Sequence, residues 1–204
     1  MELLVSVMCV GIMVLSFYSL ETFSHSQVMS ADRRAKVQNS LAYCIEHMSK
    51  YVQVASGNAS NAPIQVLANG FQVRVDSSLL QVPVTSITPA NFNDDVWISY
   101  TLTGNTLSTS CTPIGTGSCG AYASENLTSS TRIISGFVNG SMPVTNPTNG
   151  FYVLINAAGS AAGPSVDIGL AGLYDTSKPY LWKDRATNPK VAIKTRLTWN
   201  SAQH

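Results

Sequence analysis

The sequence predicts an α+β protein: a long N-terminal helix, apolar in its first half and amphipathic in its second, packed on an antiparallel β-sheet head. Three observations carry this prediction. Leu3 to Leu20 read LLVSVMCVGIMVLSFYSL, eighteen residues without a charge. Residues 21–55 contain neither proline nor glycine and hold apolar residues at helical spacing. Beyond about residue 57 the chain changes to alternating apolar and polar runs punctuated by Gly, Pro, Asn and Ser.

The apolar run comes first. At about 1.5 Å per residue its helix is roughly 27 Å long, close to the ~30 Å hydrocarbon core of a bilayer. A buried helix of a soluble core rarely runs so long without a polar face. A cleaved signal peptide would have basic residues ahead of the run and a small-residue cleavage site behind it. Here the side-chain charge ahead is Glu2, and Phe17-Tyr18-Ser19-Leu20 leads into more helical sequence, so the segment is expected to stay attached. Glu2 at the lip of a membrane helix requires an interfacial position or a cationic partner. Arg33, Arg34 and Lys36 follow the run with no basic side chain before it, which by the positive-inside rule places the rest of the chain in the cytoplasm. The exported character of that part argues the other way, and a basic leader ahead of Met1 would resolve the conflict.

The second half of the helix carries Leu41, Cys44, Ile45, Met48 and Val52 on one apolar stripe, with Asn39, Glu46, Lys50 and Gln53 opposite. Gly57 is expected to cap its C-terminus. In the head, Asn69-Gly70 between Ile64–Ala68 and Phe71–Val75 predicts a two-residue hairpin with positive φ at both turn positions, and Gly104-Asn105 predicts another. Val96, Ile98, Tyr100 and Leu102 fall on one face of a strand, Trp97, Ser99, Thr101 and Thr103 on the other. Further strands are expected at Arg132–Val138, Gly150–Ile155, Val166–Leu173 and Val191–Trp199, the last with Val191, Ile193, Leu197 and Trp199 on one face.

Composition narrows the function. Charged residues make up 11% of the 204, with a net charge of +1, so neither a nucleic-acid field nor one for acidic substrates is present. The chain holds 26 Ser, 17 Thr and 14 Asn, a surface suited to a secreted, strand-rich domain. Cys111 and Cys119, eight positions apart around a Pro/Gly loop, read as a local disulfide; Cys9 and Cys44 read as packing residues. His25 and His47 lie on the long helix and His204 at the chain end, away from any nucleophile, so no catalytic residue, metal site or cofactor is expected. Asp94-Asp95 beside Asn91 and Asn93 read as a solvated turn rather than a calcium loop, lacking a bidentate Glu at useful spacing. The sequons at Asn58, Asn126 and Asn139 occur at the chance frequency. Lys178, Lys183, Arg185, Lys190, Lys194 and Arg196, with Tyr180 and Trp182 among them, read as a polar edge guarding a sheet rather than a nucleic-acid groove.

This layout resembles the type IV pilin class, and Met1-Glu2-Leu3-Leu4-Val5 is similar to the segment just after that family's prepilin cleavage site. The head resembles the J-type minor pseudopilins and large minor pilins at Trp97–Leu107, Ile133–Phe137 and Lys194–Asn200. The resemblance implies a structural subunit of a type IV pilus or type II secretion pseudopilus. Glu2 would pair with a neighbouring subunit's N-terminal amine, and Leu3, Leu4 and Val5 would belong to the same assembly segment. It implies residues 1–20 as membrane span and filament core, 21–56 as the amphipathic half and 57–204 as the head. The implied partners are other pilin or pseudopilin subunits, the prepilin peptidase and the inner membrane, with the head in the periplasm before assembly. The alternative of a different class is a membrane-anchored binding module, an adhesin or DNA-uptake head on a stalk.

Overall fold

The computed structural model describes residues 2–58, 60–81, 84, 87–88, 91–128, 132–156, 164–175, 177–178 and 187–199. Helix α1 spans Glu2–Gln53 without interruption, as the absence of proline and of glycine beyond Gly11 allows. Its buried residues are Val37, Leu41, Cys44, Met48, Tyr51 and Val52, so the apolar stripe starts one turn earlier than expected and includes Tyr51. Ile45 sits at its margin, half-buried. Residues 2–36 contain no buried side chain. The helix ends without a glycine cap: Ala55 N–H donates to Val52 O (3.2 Å) and Ser56 N–H to Arg74 O (2.9 Å). The sheet itself takes the chain over, and Gly57 lies four residues past the last helical turn.

Two five-stranded sheets form the head. The first runs β1 (Ile64–Leu67), β2 (Gly70–Asp76), β3 (Asp95–Thr103), β4 (Thr106–Pro113) and β5 (Glu125–Asn126), all antiparallel. The second orders β10 (Lys190–Thr198), β9 (Ser165–Leu173), β8 (Phe151–Asn156) and β7 (Phe137–Asn139), with β6 (Arg132–Ile133) also on β9. It is antiparallel except for β7 beside β8, which is parallel. The predicted single strand at Arg132–Val138 is therefore two strands with different partners. Gly136, at φ 106°, turns the chain between them, and its carbonyl accepts the N–H groups of Gly150 and Phe151.

The face predicted for β3 is the observed one: Val96, Ile98 and Tyr100 are fully buried and Leu102 nearly so. Phe71 stacks on Tyr100 at 5.1 Å and meets Phe151 at 6.0 Å, which joins the two sheets in one core. Both predicted hairpins form. Gly104 turns at φ 60°, whereas Asn69-Gly70 is shifted by one residue. Leu67 pairs with Gly70 across a turn made by Ala68 and Asn69, and neither Asn69 nor Gly70 has positive φ. Gly70 is required for another reason: a Cβ there would lie 1.8 Å from Tyr100 O, so β3 can approach β2 only against a bare backbone.

Candidate functional site

Glu2, Leu3, Leu4 and Val5 form the first turn of α1, the end of a helix that stands clear of the head. Leu3 is 80% exposed, and large apolar side chains stay exposed through Val28 and Met29. An acid in the first turn suits the positive end of the helix dipole. Three hydroxyls in and just past the run bond back along the helix: Ser6 Oγ to Glu2 O (3.0 Å), Ser16 Oγ to Ile12 O (2.8 Å) and Thr22 Oγ1 to Tyr18 O (2.8 Å). Each donor is satisfied without water, which lets these residues sit in hydrocarbon or between packed helices. This helix is long and apolar enough to cross a membrane.

Residues 2–36 extend about 52 Å, whereas a bilayer core takes roughly 20 residues. The surplus lies in 21–36, where Glu21, His25, Asp32, Arg33, Arg34 and Lys36 make a polar neck; Lys36 pairs with Asp32 at 2.9 Å. Arg33 reaches the head: its Nη1 donates to Thr187 O (2.8 Å) while its guanidinium lies 5.3 Å from the Tyr174 ring centre.

The joint between helix and head is built from rings. Tyr43, His47 and Tyr51 stand one turn apart on α1, with the His47 ring between the two tyrosines; His47 meets Tyr100 of β3 and Tyr122, and Tyr51 also meets Tyr122. His47 Nδ1 is 3.0 Å from the Tyr100 hydroxyl, which itself donates to His47 O (3.3 Å). Nε2 faces Glu125 Oε1 at 3.6 Å, and the Tyr43 hydroxyl donates to the same oxygen at 3.1 Å. Burial outweighs the pull of Glu125 and holds the imidazole below its ordinary pKa. Burial also raises Tyr51, drives Tyr122 up to about 12 and Tyr100 well above the ordinary phenol. The Tyr43–His47–Tyr51 spacing of four signalled this cluster in the sequence, but the reading by apolar stripe passed over it.

Cys111 and Cys119 form the expected disulfide, closing a loop of separation 8 at the end of β4. That loop seats on residues 93–95: Ile114 N–H donates to Asp95 O (2.9 Å) and Thr116 N–H to Asn93 O (2.8 Å). Asp95 accordingly does not belong to a solvated turn, whereas Asp94 stays half-exposed in the bend before β3. Asp95 is 1% exposed and accepts from Ser56 Oγ at 2.9 Å, and burial raises its carboxyl above the ordinary range. Cys44 is buried, its thiol donating to Leu127 O at 3.6 Å and pushed up to about 12, a packing residue and not a nucleophile. Cys9, expected to pack, is exposed on the apolar run.

His47 has tyrosines and Glu125 around it, and His25 lies about 33 Å away along the helix. Among the described residues no group of three or more His, Cys, Asp or Glu side chains converges to hold a metal ion. Of the basic C-terminal set, Lys178 lies 3.8 Å from Asp175, Lys190 donates to Asn146 Oδ1 (2.9 Å), and Arg196 clasps Asp167 through Nε (2.6 Å) and Nη2 (2.9 Å). Tyr180, Trp182, Lys183, Arg185 and His204 lie outside the described residues. No family model matches this chain, and comparison with curated proteins and with solved structures finds no match.

Proposed function

We propose that the chain is a pilin-like structural subunit, a minor pilin or minor pseudopilin, that works by packing and not by catalysis. The observation that supports this reading is the division of one unbroken helix. Its second half is the spine of the head's core, while its first half is a bare apolar rod ending in Glu2. A rod whose apolar side chains all stand exposed must be covered by lipid or by other helices, and a subunit that moves from membrane to filament meets both. Leu3, Leu4 and Val5 pack against neighbouring helices as Glu2 neutralises a neighbour's N-terminal amine, the cationic partner that a carboxylate at this depth needs. The partners are other pilin or pseudopilin subunits, the prepilin peptidase and the inner membrane, with the head in the periplasm before assembly.

Glu2→Ala tests the role of the carboxylate. The variant is expected to insert in the membrane with a folded head and to be missing from filaments sheared from the cell, as measured by immunoblot of membrane and filament fractions. A variant present in filaments at the wild-type level overturns the role given to Glu2. If instead the wild-type chain is itself absent from filaments yet binds cells or DNA through the head, the chain is an anchored binding module.

A further inference from the structure

Strand β10 pairs with β9 along all nine of its residues, and among the described residues no strand pairs with its other edge. In an antiparallel strand alternate residues direct N–H and C=O away from the partner, so on this side β10 presents a row of backbone groups that no strand among the described residues meets. A groove of about 630 Å³ runs beside this edge. Its lining includes Ile193, Lys194 and Thr195, consecutive residues whose side chains leave opposite faces of the sheet, and only the edge of a strand can present both. The opposite wall is a stripe of α1 from Ala42 to Gln53, about 17 Å long, matched by about 13 Å of strand between Ile193 and Leu197. That is room for one added strand of about five residues.

The chemistry of the two sides differs. Toward the helix Ile45, Ile193 and Leu197 give the groove apolar surface, and Glu46 and Lys50 add one charge of each sign to its lining. On the outer face Ala192, Lys194, Arg196 and Thr198 are exposed; Arg196 clasps Asp167, and Lys194, whose charge also favours the Asp167 carboxylate, makes no close ion pair among the described residues. We propose that the β10 edge and this groove form a strand-addition site for a partner protein segment in which apolar residues alternate with acidic ones. The incoming backbone meets the open edge, alternate side chains enter the groove, and the intervening carboxylates face Lys194. A second copy of this chain is the wrong occupant, since no two acids in the sequence stand two residues apart. The site lies between β10 and the second half of α1, apart from the exposed first half, and holds whether or not that first half assembles into a filament.

Three peptides titrated into the full chain in detergent test this: Thr-Val-Glu-Val-Glu-Val-Thr, its isomer Val-Val-Val-Thr-Thr-Glu-Glu, and Thr-Val-Lys-Val-Lys-Val-Thr. Hydrogen exchange by mass spectrometry is followed over residues 190–198. The alternating acidic peptide is expected to slow exchange there about tenfold and to bind about tenfold tighter than the other two. Lys194→Glu, at an exposed position, is expected to reverse the preference between the acidic and lysine peptides while exchange elsewhere in the head is unchanged. Equal binding of the isomer, no protection of β10 by the acidic peptide, or an unchanged preference in Lys194→Glu overturns the proposal.

Discussion

The two halves of α1 share one backbone and meet opposite environments. From Val37 to Val52 every third or fourth side chain is buried against β-sheet; from Glu2 to Lys36 none is. Both halves are rich in apolar residues, so hydrophobicity alone does not say where a helix is buried. The pattern does: a stripe with a polar opposite face fits one neighbouring surface, whereas an apolar surface all round calls for a surround of lipid or helices. The lower half is thus specified by the head, and the upper half awaits a partner.

Substitutions that remove this contrast follow in order of effect. Gly70→Ala forces a Cβ toward Tyr100 O and is expected to prevent β2–β3 pairing, seen as loss of a folded head by circular dichroism. Leu41→Ala, in the buried half, is expected to cost about 2–5 kcal/mol in denaturant unfolding of the head. Leu15→Ala, in the exposed half, is expected to leave that midpoint unchanged and to change only membrane or filament behaviour. Equal effects of the two would erase the distinction between the halves. Replacing Cys111 and Cys119 together by Ser is expected to cost about 2–3 kcal/mol by loop entropy and to loosen the 93–95 segment first.

A smaller effect is expected from pH. His47 has a folded pKa below its unfolded value near 6.5, so the unfolded chain takes up the proton first. Stability is then fully present above pH 6.5 and declines as the pH falls through it, until the folded imidazole also protonates. His47→Phe is expected to flatten that part of the stability profile. A head whose stability rises on acidification between pH 6.5 and 5 would show that the Glu125 attraction outweighs burial.

Much of this architecture was legible because it is local. Helix length, the inward face of β3 and the disulfide each depend on residues a few positions apart. What was misread depends on distant neighbours. Asn69-Gly70 looks like a turn, but Gly70 is kept bare by Tyr100, thirty residues on. Arg132–Val138 looks like one strand, but β9 and β8 claim its two ends. Asp95 looks solvated until the disulfide loop and Ser56 close over it. Of the proposed assembly segment the sequence predicts an apolar run headed by an acid, and the structure adds that all of it stands exposed. The neighbour that Glu2 would meet belongs to another molecule, so no single chain contains it.

The most direct test of the pilin-like reading is intact-mass and N-terminal peptide mass spectrometry on the protein taken from its native membrane. The account predicts a processed chain whose methylated first residue lies a few positions ahead of Met1, with Glu2 close behind it. A chain that keeps an unprocessed start at Met1 would contradict it and leave α1 as the anchor of a surface binding module.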